Sequence, residues 1–275
     1  MCYSLHRYFQ TKTRCPVQKF ICVAFLFVAS TSFSQQLQGD IMLGVASYSG
    51  DLTKEYFSPK TLGPAISANI KYPVMGNFLY LRAGLAYGII SGDDKHNDPP
   101  STYLARNLNF KSHIIEGSIC LEANVLNPEE YYSYPYFFGG IGLFHFNPYT
   151  RDSDDKKIHL WDLGTEGQGL APYPDKKMYS LTQVCFPFGG GWKYKINNQI
   201  DVVFELGGRL LFTDHLDDVS GVYADPQVLL NARGPKAMEL AYRGPAATVA
   251  EGAQRGNSKL NDWYFLTGFK LQYKF

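Results

Sequence analysis

The sequence predicts an eight-stranded antiparallel transmembrane β-barrel with short periplasmic turns and long extracellular loops, preceded by a signal peptide. Three observations lead there. The chain opens with an export segment, and no later apolar run is long enough for a membrane-spanning helix. Eight segments of about ten residues or more alternate in polarity with period two, the length a tilted strand needs to cross a bilayer. The connections between them alternate short and long without exception. Composition agrees: 20 Tyr, 19 Phe and 26 Gly in 275 residues suit β-structure with close backbone contacts. A net charge of +1 marks no nucleic-acid partner.

Residues 1–35 read as the cleaved signal peptide and 36–275 as the barrel domain. Arg7, Lys12, Arg14 and Lys19 form a basic region, "FICVAFLFVAS" a short apolar one, and Ser32 and Ser34 a small-residue cleavage pattern. Removing this segment leaves only Cys120 and Cys185, so no disulfide framework is indicated.

The strands are expected near 39–49, 64–73, 78–91, 108–124, 135–147, 181–196, 200–213 and 262–275. In the second, Ile66, Ala68, Ile70 and Tyr72 oppose Ser67, Asn69 and Lys71. In the seventh, Ile200, Val202, Phe204 and Leu206 oppose Asp201, Glu205 and Arg209. The last sets Trp263, Phe265, Phe269, Leu271, Tyr273 and Phe275 against Gly268, Lys270, Gln272 and Lys274. The fourth is the least regular. "PVMGN", "LNPEEYYSY" and "NNQ" make the short turns, while 50–63, 92–107, 148–180 and 214–261 make the long loops. A soluble lipocalin-like barrel or β-sandwich would point the apolar face inward; the alternating connections favour the membrane assignment.

An eight-stranded barrel is just wide enough for its own side chains. Lys71, Arg82, Glu116, Glu122, Lys193, Glu205, Arg209 and Lys270 fall on the lumen face, so cross-barrel ion pairs and no wide pore are expected.

Two loop segments invite a chemical reading. In "FTDHLDDVSG", Asp214, Asp217 and Asp218 could hold a calcium-type ion, but the spacing is not that of an EF-hand. The alternative, preferred here, has these carboxylates order the loop base by accepting backbone hydrogen bonds, with Ser220 and Gly221 supplying turn chemistry. "WDLGTEGQGL" lacks the lysine of a phosphate loop and is expected to pack over the barrel mouth. His96, His113, His145, His159 and His215 sit in no nucleophile motif, so no catalytic residue and no cofactor is assigned.

Four stretches, "SYSGDL" (47–52), "FGGIGLFHFNP" (138–148), "LGTEGQGL" (163–170) and "FTDHLDDVSG" (212–221), together resemble the PorG family of Bacteroidota outer-membrane proteins. The resemblance extends over the mature chain, including "LLNARGPKAMELAYRGPAATVAEGAQRGN", read as a long polar loop. It implies a non-enzymatic component of type IX secretion, linked in gliding bacteria to motility. Its implied partners are outer-membrane lipid and the periplasmic ring of a PorK-like lipoprotein with a PorN-like protein. The terminal Phe275 is similar to the end signal that bacterial barrel-assembly machinery reads. A stand-alone structural or surface-binding barrel, and a lipid-modifying barrel enzyme, are the alternative functions.

Overall fold

The computed structural model describes residues 37–53, 55–96, 106–244 and 250–275. The expected signal peptide, residues 1–35, lies outside the described residues. The strands in chain order are β1 (Gln38–Ser49), β2 (Gly63–Met75), β3 (Leu79–Asp93), β4 (Asn109–Asn124), β5 (Ser133–His145), the short hairpin β6 (Tyr149–Arg151) and β7 (Lys157–His159), β8 (Thr182–Lys195), β9 (Ile200–Leu210) and β10 (Trp263–Lys274). The sheet runs β3-β2-β1-β10-β9-β8-β5-β4, and β3 pairs with β4 to close it. Every backbone edge of the eight long strands is thereby paired, as a structure in hydrocarbon requires. The β6–β7 hairpin extends the wall beyond β4, where Lys111 pairs with Tyr149.

Gln38 lies opposite both Lys274 and Lys71, so the first and last strands start and finish at one end of the barrel. That end also carries the turns 76–78, 125–132 and 196–199. The other end carries the connections 50–62, 94–108, 146–181 and 211–262. We call these the turn end and the loop end.

The two faces of the wall differ as the alternation predicts. Leu43, Leu85, Phe137 and Phe269 are each more than 60% exposed, at 67, 70, 63 and 65%. Ile41, Ile70, Ile119, Ile141, Leu143 and Leu271 continue the band around the barrel. Exposing such a surface to water would cost about 25 cal/mol per Å² of apolar area, whereas against lipid it costs nothing of the kind. The band therefore makes this a transmembrane barrel.

The interior has two halves. Toward the turn end lies a lattice of buried ions. Lys71 bonds Asp40 at 3.0 Å and Glu122 at 2.9 Å. Lys193 bonds Glu122 at 2.5 Å, and Lys270 bonds Glu205 at 2.5 Å. Arg82 grips Glu205 through two hydrogen bonds, 2.7 and 3.0 Å, and Arg209 holds Glu116 at 2.7 and 3.2 Å. Lys274 pairs with Asp201 at 2.8 Å. Toward the loop end the filling becomes apolar: Met42, Ala46, Ile90, Phe110, Ile114, Phe144 and Leu266 are buried in one cluster. Between the strands, Gly44 faces Gly268, and a Cβ at Gly44 would lie 2.1 Å from the Thr267 carbonyl oxygen. That close approach admits no side chain.

One segment departs from expectation. The stretch 229–257, expected to be a polar loop, holds most of helix α1 (Pro226–Arg233) and all of α2 (Pro235–Ala241). Each starts with proline at its first turn, and Asp225 caps α1 by accepting from the amides of Gln227 and Val228. Leu229 and Ala241 bury against Ala224 and the third loop's Leu170 and Tyr173. Helices of 8 and 7 residues are marginal alone, so this packing is what forms them.

Candidate functional site: the cap over the barrel mouth

The four loops meet above the apolar half of the lumen. Leu52, Leu108, Leu160, Leu216, Val219 and Leu240, one or more from each loop, continue the barrel's cluster upward without a break. Hydrophobic contact alone would leave loop amides and carbonyls buried and unpaired, at about 1–3 kcal/mol each. Charged side chains meet that need.

Tyr48, at the top of β1, donates its hydroxyl to Asp217 Oδ2 at 2.5 Å and lies 3.3 Å from Asp262 Oδ1. Asp217 Oδ1 accepts from the Val219 amide at 2.8 Å, and Asp262 Oδ2 from the Leu216 amide at 2.9 Å. Asp51 Oδ2 accepts from the Asn257 amide at 2.8 Å. Glu166 Oε1 accepts from the amides of Ser220 at 2.9 Å and Gly221 at 3.2 Å, and from Arg255 at 2.9 Å. Arg106 bonds Asp94 through two nitrogens, 2.9 and 2.6 Å. It also reaches the carbonyls of Asp51, at 2.8 Å, and Arg255. Thus loop one is tied to loop four, loop two to loops one and four, and loop three to loop four.

The five residues singled out in the fourth loop all lie in this cap, with different bonds from those expected. Only Asp217 orders the base by accepting a neighbouring backbone amide. Asp218 instead accepts hydroxyls from Thr165 at 2.6 Å and Tyr179 at 2.8 Å. Asp214 accepts from the Ser220 hydroxyl at 2.6 Å and pairs with His215 at 2.8 Å. Gly221 donates its amide to Glu166, and Asp218 itself adopts the left-handed region at φ 64°. The cause is depth: both side chains are buried, and hydroxyls reach them first, those of loop three at Asp218 and that of Tyr48 from β1 at Asp217. The backbone capping foreseen for Asp214 and Asp218 falls to Asp262, Glu166 and Asp51. Those residues lie far apart in sequence: Asp51 and Glu166 fall in the stretches 47–52 and 163–170, but nothing local pairs them with the fourth loop.

The same bonds bear on the metal alternative. The carboxylates of Asp214, Asp217 and Asp218 point to three different sets of donors. Among the described residues, no group of three or more His, Cys, Asp or Glu side chains converges as metal ligands would.

Carboxylates outnumber arginines here, and burial sets the protonation. Burial, with the nearby charge of Asp51, pushes Asp217 up to about 8. Burial and the charge of Asp217 hold Asp262 well above the usual carboxylate range. Burial raises Asp218 as well. Burial also opposes the charge on Asp214, but hydrogen bonds from His215 and Ser220 prevail and keep it low. Around neutral pH the Asp217–Asp262 pair therefore keeps a proton, which relieves the repulsion of two close carboxylates.

The segment "LGTEGQGL" belongs to the cap too. Gly164, Gly167 and Gly169 all have positive φ, at 56, 86 and 70°, which folds the loop tightly enough to aim Glu166 and Thr165 inward. Tyr179 stacks on Phe146 with ring centres 5.9 Å apart. A cavity lined by Asp217, Arg255, Arg243, Leu52 and Leu240 offers about 10 Å³, room for about one water. Two histidines pair outside the cap: His113 with the Tyr87 hydroxyl at 2.6 Å and His145 with the Thr182 hydroxyl at 2.9 Å.

All eight lumen residues named from the sequence, Lys71, Arg82, Glu116, Glu122, Lys193, Glu205, Arg209 and Lys270, are buried inside the barrel. Asp40 and Asp201 complete their ion pairs and are missing from that set, although each shares a face with lumen residues: Asp40 with Met42, Asp201 with Glu205. Phe275 lies outside, its amide donating to the Leu37 carbonyl at 2.9 Å.

A filled lumen, a laced cap and an apolar outer belt define the class: a small transmembrane β-barrel with a closed mouth. A family model described as "Domain of unknown function (DUF6089)" matches residues 18–161, and the chain belongs to that family. A search of curated proteins found no match. Among solved structures, the chain is similar to a major outer membrane protein from Thermus thermophilus (TM-score 0.44, 12% identity, covering 88% of this chain and 100% of that one). It is also similar to Neisserial surface protein A (TM-score 0.40, 11% identity, 88% and 97%). A third is Ail, the attachment invasion locus protein of Yersinia pestis (TM-score 0.39, 7% identity, 88% and 99%).

Proposed function

We propose that this chain is a non-enzymatic outer-membrane component of the type IX protein secretion machinery, with both termini in the periplasm. On this reading it anchors or assembles with a periplasmic ring of a PorK-like lipoprotein and its PorN-like partner, and in gliding bacteria it serves motility. The observation that carries the reading is the meeting of the four stretches that resemble the PorG family. Tyr48 and Asp51 come from the first, Phe144 and Phe146 from the second, Thr165 and Glu166 from the third, and Asp217 and Ser220 from the fourth. All lie in or directly under one cap. Barrel alternation does not require the last two stretches, so their use in one structural unit with the first two supports common descent over chance likeness.

The test is affinity purification of the tagged chain from detergent-solubilised outer membranes. Recovery of the ring lipoprotein and its partner is the expected result. Purification of the barrel alone, from membranes in which the ring is intact, would leave the second reading, a stand-alone structural barrel. The filled lumen and closed mouth favour that reading over a channel.

A further inference from the structure

We propose that the outward face shared by β4, β6 and β7 is a headgroup site for a phosphorylated lipid of the leaflet surrounding the loop end. Pairing of Lys111 with Tyr149, Tyr149 with His159 and Arg151 with Lys157 puts these side chains and His113 on one outer face. The His113 ring stacks on Tyr149 at 5.6 Å with an interplanar angle of 15°. Lys157 Nζ sits 3.9 Å over the same Tyr149 ring. The platform is therefore held in place before any ligand arrives. His159 adds a buried Nδ1 with no hydrogen-bond partner.

Two facts select an anionic lipid. The first is depth. Along β4 the outward residues change from Ile119 and Ile115, 57 and 56% exposed, to His113 and then Lys111. Leu85 and Leu143, at 70 and 58%, flank the apolar side. The cations thus begin where the lipid-facing belt stops, at headgroup level. The second is charge. Arg151 is paired with Asp155 at 3.0 Å and Lys156 with Asp154 at 3.8 Å. Asp93, the acid nearest on β3, accepts from the Lys95 amide. Among the described residues no carboxylate pairs with Lys111 or Lys157, so two ammonium groups are left facing the headgroup layer beside stacked rings. A phosphate bridging the lysines, with its sugar or glycerol against His113 and Tyr149, satisfies both.

The inference rests on the outer-membrane placement above but not on the secretion role, because its test needs only the purified barrel. Native mass spectrometry of the full mature protein in detergent would compare bis-phosphorylated lipid A, the same lipid dephosphorylated, and inorganic phosphate. We expect retained adducts with the phosphorylated lipid alone. Lys111→Gln with Lys157→Gln should weaken them about 30-fold, roughly fivefold per lysine. Lys156→Gln, on the same hairpin, should leave them unchanged. Heat-modifiable mobility would confirm that each variant folds, and Lys157→Gln alone, outside the closed barrel, provides a milder case. Equal retention of the dephosphorylated lipid, equal occupancy by phosphate, or full retention by the double variant would each overturn the proposal.

Discussion

Glu122 is the hub of the lumen lattice, and replacing it by glutamine tests whether that lattice holds the barrel together. Its carboxylate bonds Lys193 at 2.5 Å and Lys71 at 2.9 Å and lies 3.5 Å from Arg82. The substitution keeps the shape and removes the charge. Lys71 would retain Asp40 at 3.0 Å, and Arg82 would retain Glu205 at 2.7 Å. Lys193 would retain only neutral partners, among them the Asn124 side chain at 2.9 Å and the Tyr136 ring at 4.6 Å. One buried ammonium is thus left without a counter-charge, a loss of about 3–5 kcal/mol. Urea unfolding in lipid vesicles, followed by tryptophan fluorescence, reads this as a lower midpoint. If the orphaned Lys193 is the cause, Glu122→Gln with Lys193→Met should recover at least about 1 kcal/mol relative to the sum of the single changes. A loss under about 1 kcal/mol for Glu122→Gln, or strict additivity in the double variant, would refute the reasoning.

Two further outcomes follow from the faces and the cap. Ile141 is 53% exposed. Ile141→Arg should cost about 2–4 kcal/mol and lower the folded yield in vesicles, because its surroundings are hydrocarbon; in a water-facing wall the change would stay within about 0.5 kcal/mol. The cap should loosen as pH rises. Asp217 carries a proton in the folded cap up to about pH 8, while an unfolded loop loses it near the ordinary aspartate value of 3.8. Stability of the cap therefore falls between those two pH values and is lowest above them. Proteolysis near Arg233 should be faster at pH 9 than at pH 6, and Asp217→Asn should flatten that difference; an unchanged pH dependence in Asp217→Asn would contradict the assignment.

The wall was legible in the sequence because a strand's facing is a two-residue property. Ile66, Ala68 and Ile70 against Ser67, Asn69 and Lys71 need no partner strand to be read. The limits of such reading are visible at β9. Alternation persists to Thr213, since Phe212 is exposed and Leu211 buried, yet the ladder to β10 stops at Leu210. Periodicity reports which way side chains point, not where hydrogen bonding ends. The cap was legible only in part. "FTDHLDDVSG" stood out by its crowded acids, and "LGTEGQGL" by glycines whose positive φ the fold uses. Arg106, Glu166, Arg255 and Asp262 look like ordinary loop charges until tertiary packing brings them together. The short helices escaped for the same reason, since their stability comes from contacts with loop three.

The central claim, a membrane-spanning barrel whose capped end faces outward, is most directly tested by thiol labelling of intact cells with a membrane-impermeant maleimide. The native Cys120 and Cys185 are buried and give a low background. Lys156→Cys places a thiol on the loop-end β6–β7 hairpin, where the native side chain is 72% exposed, and Asn198→Cys places one in the exposed β8–β9 turn. The account expects label at Lys156→Cys in intact cells, and at Asn198→Cys only after the outer membrane is permeabilised. Label at Asn198→Cys but not at Lys156→Cys in intact cells would contradict it.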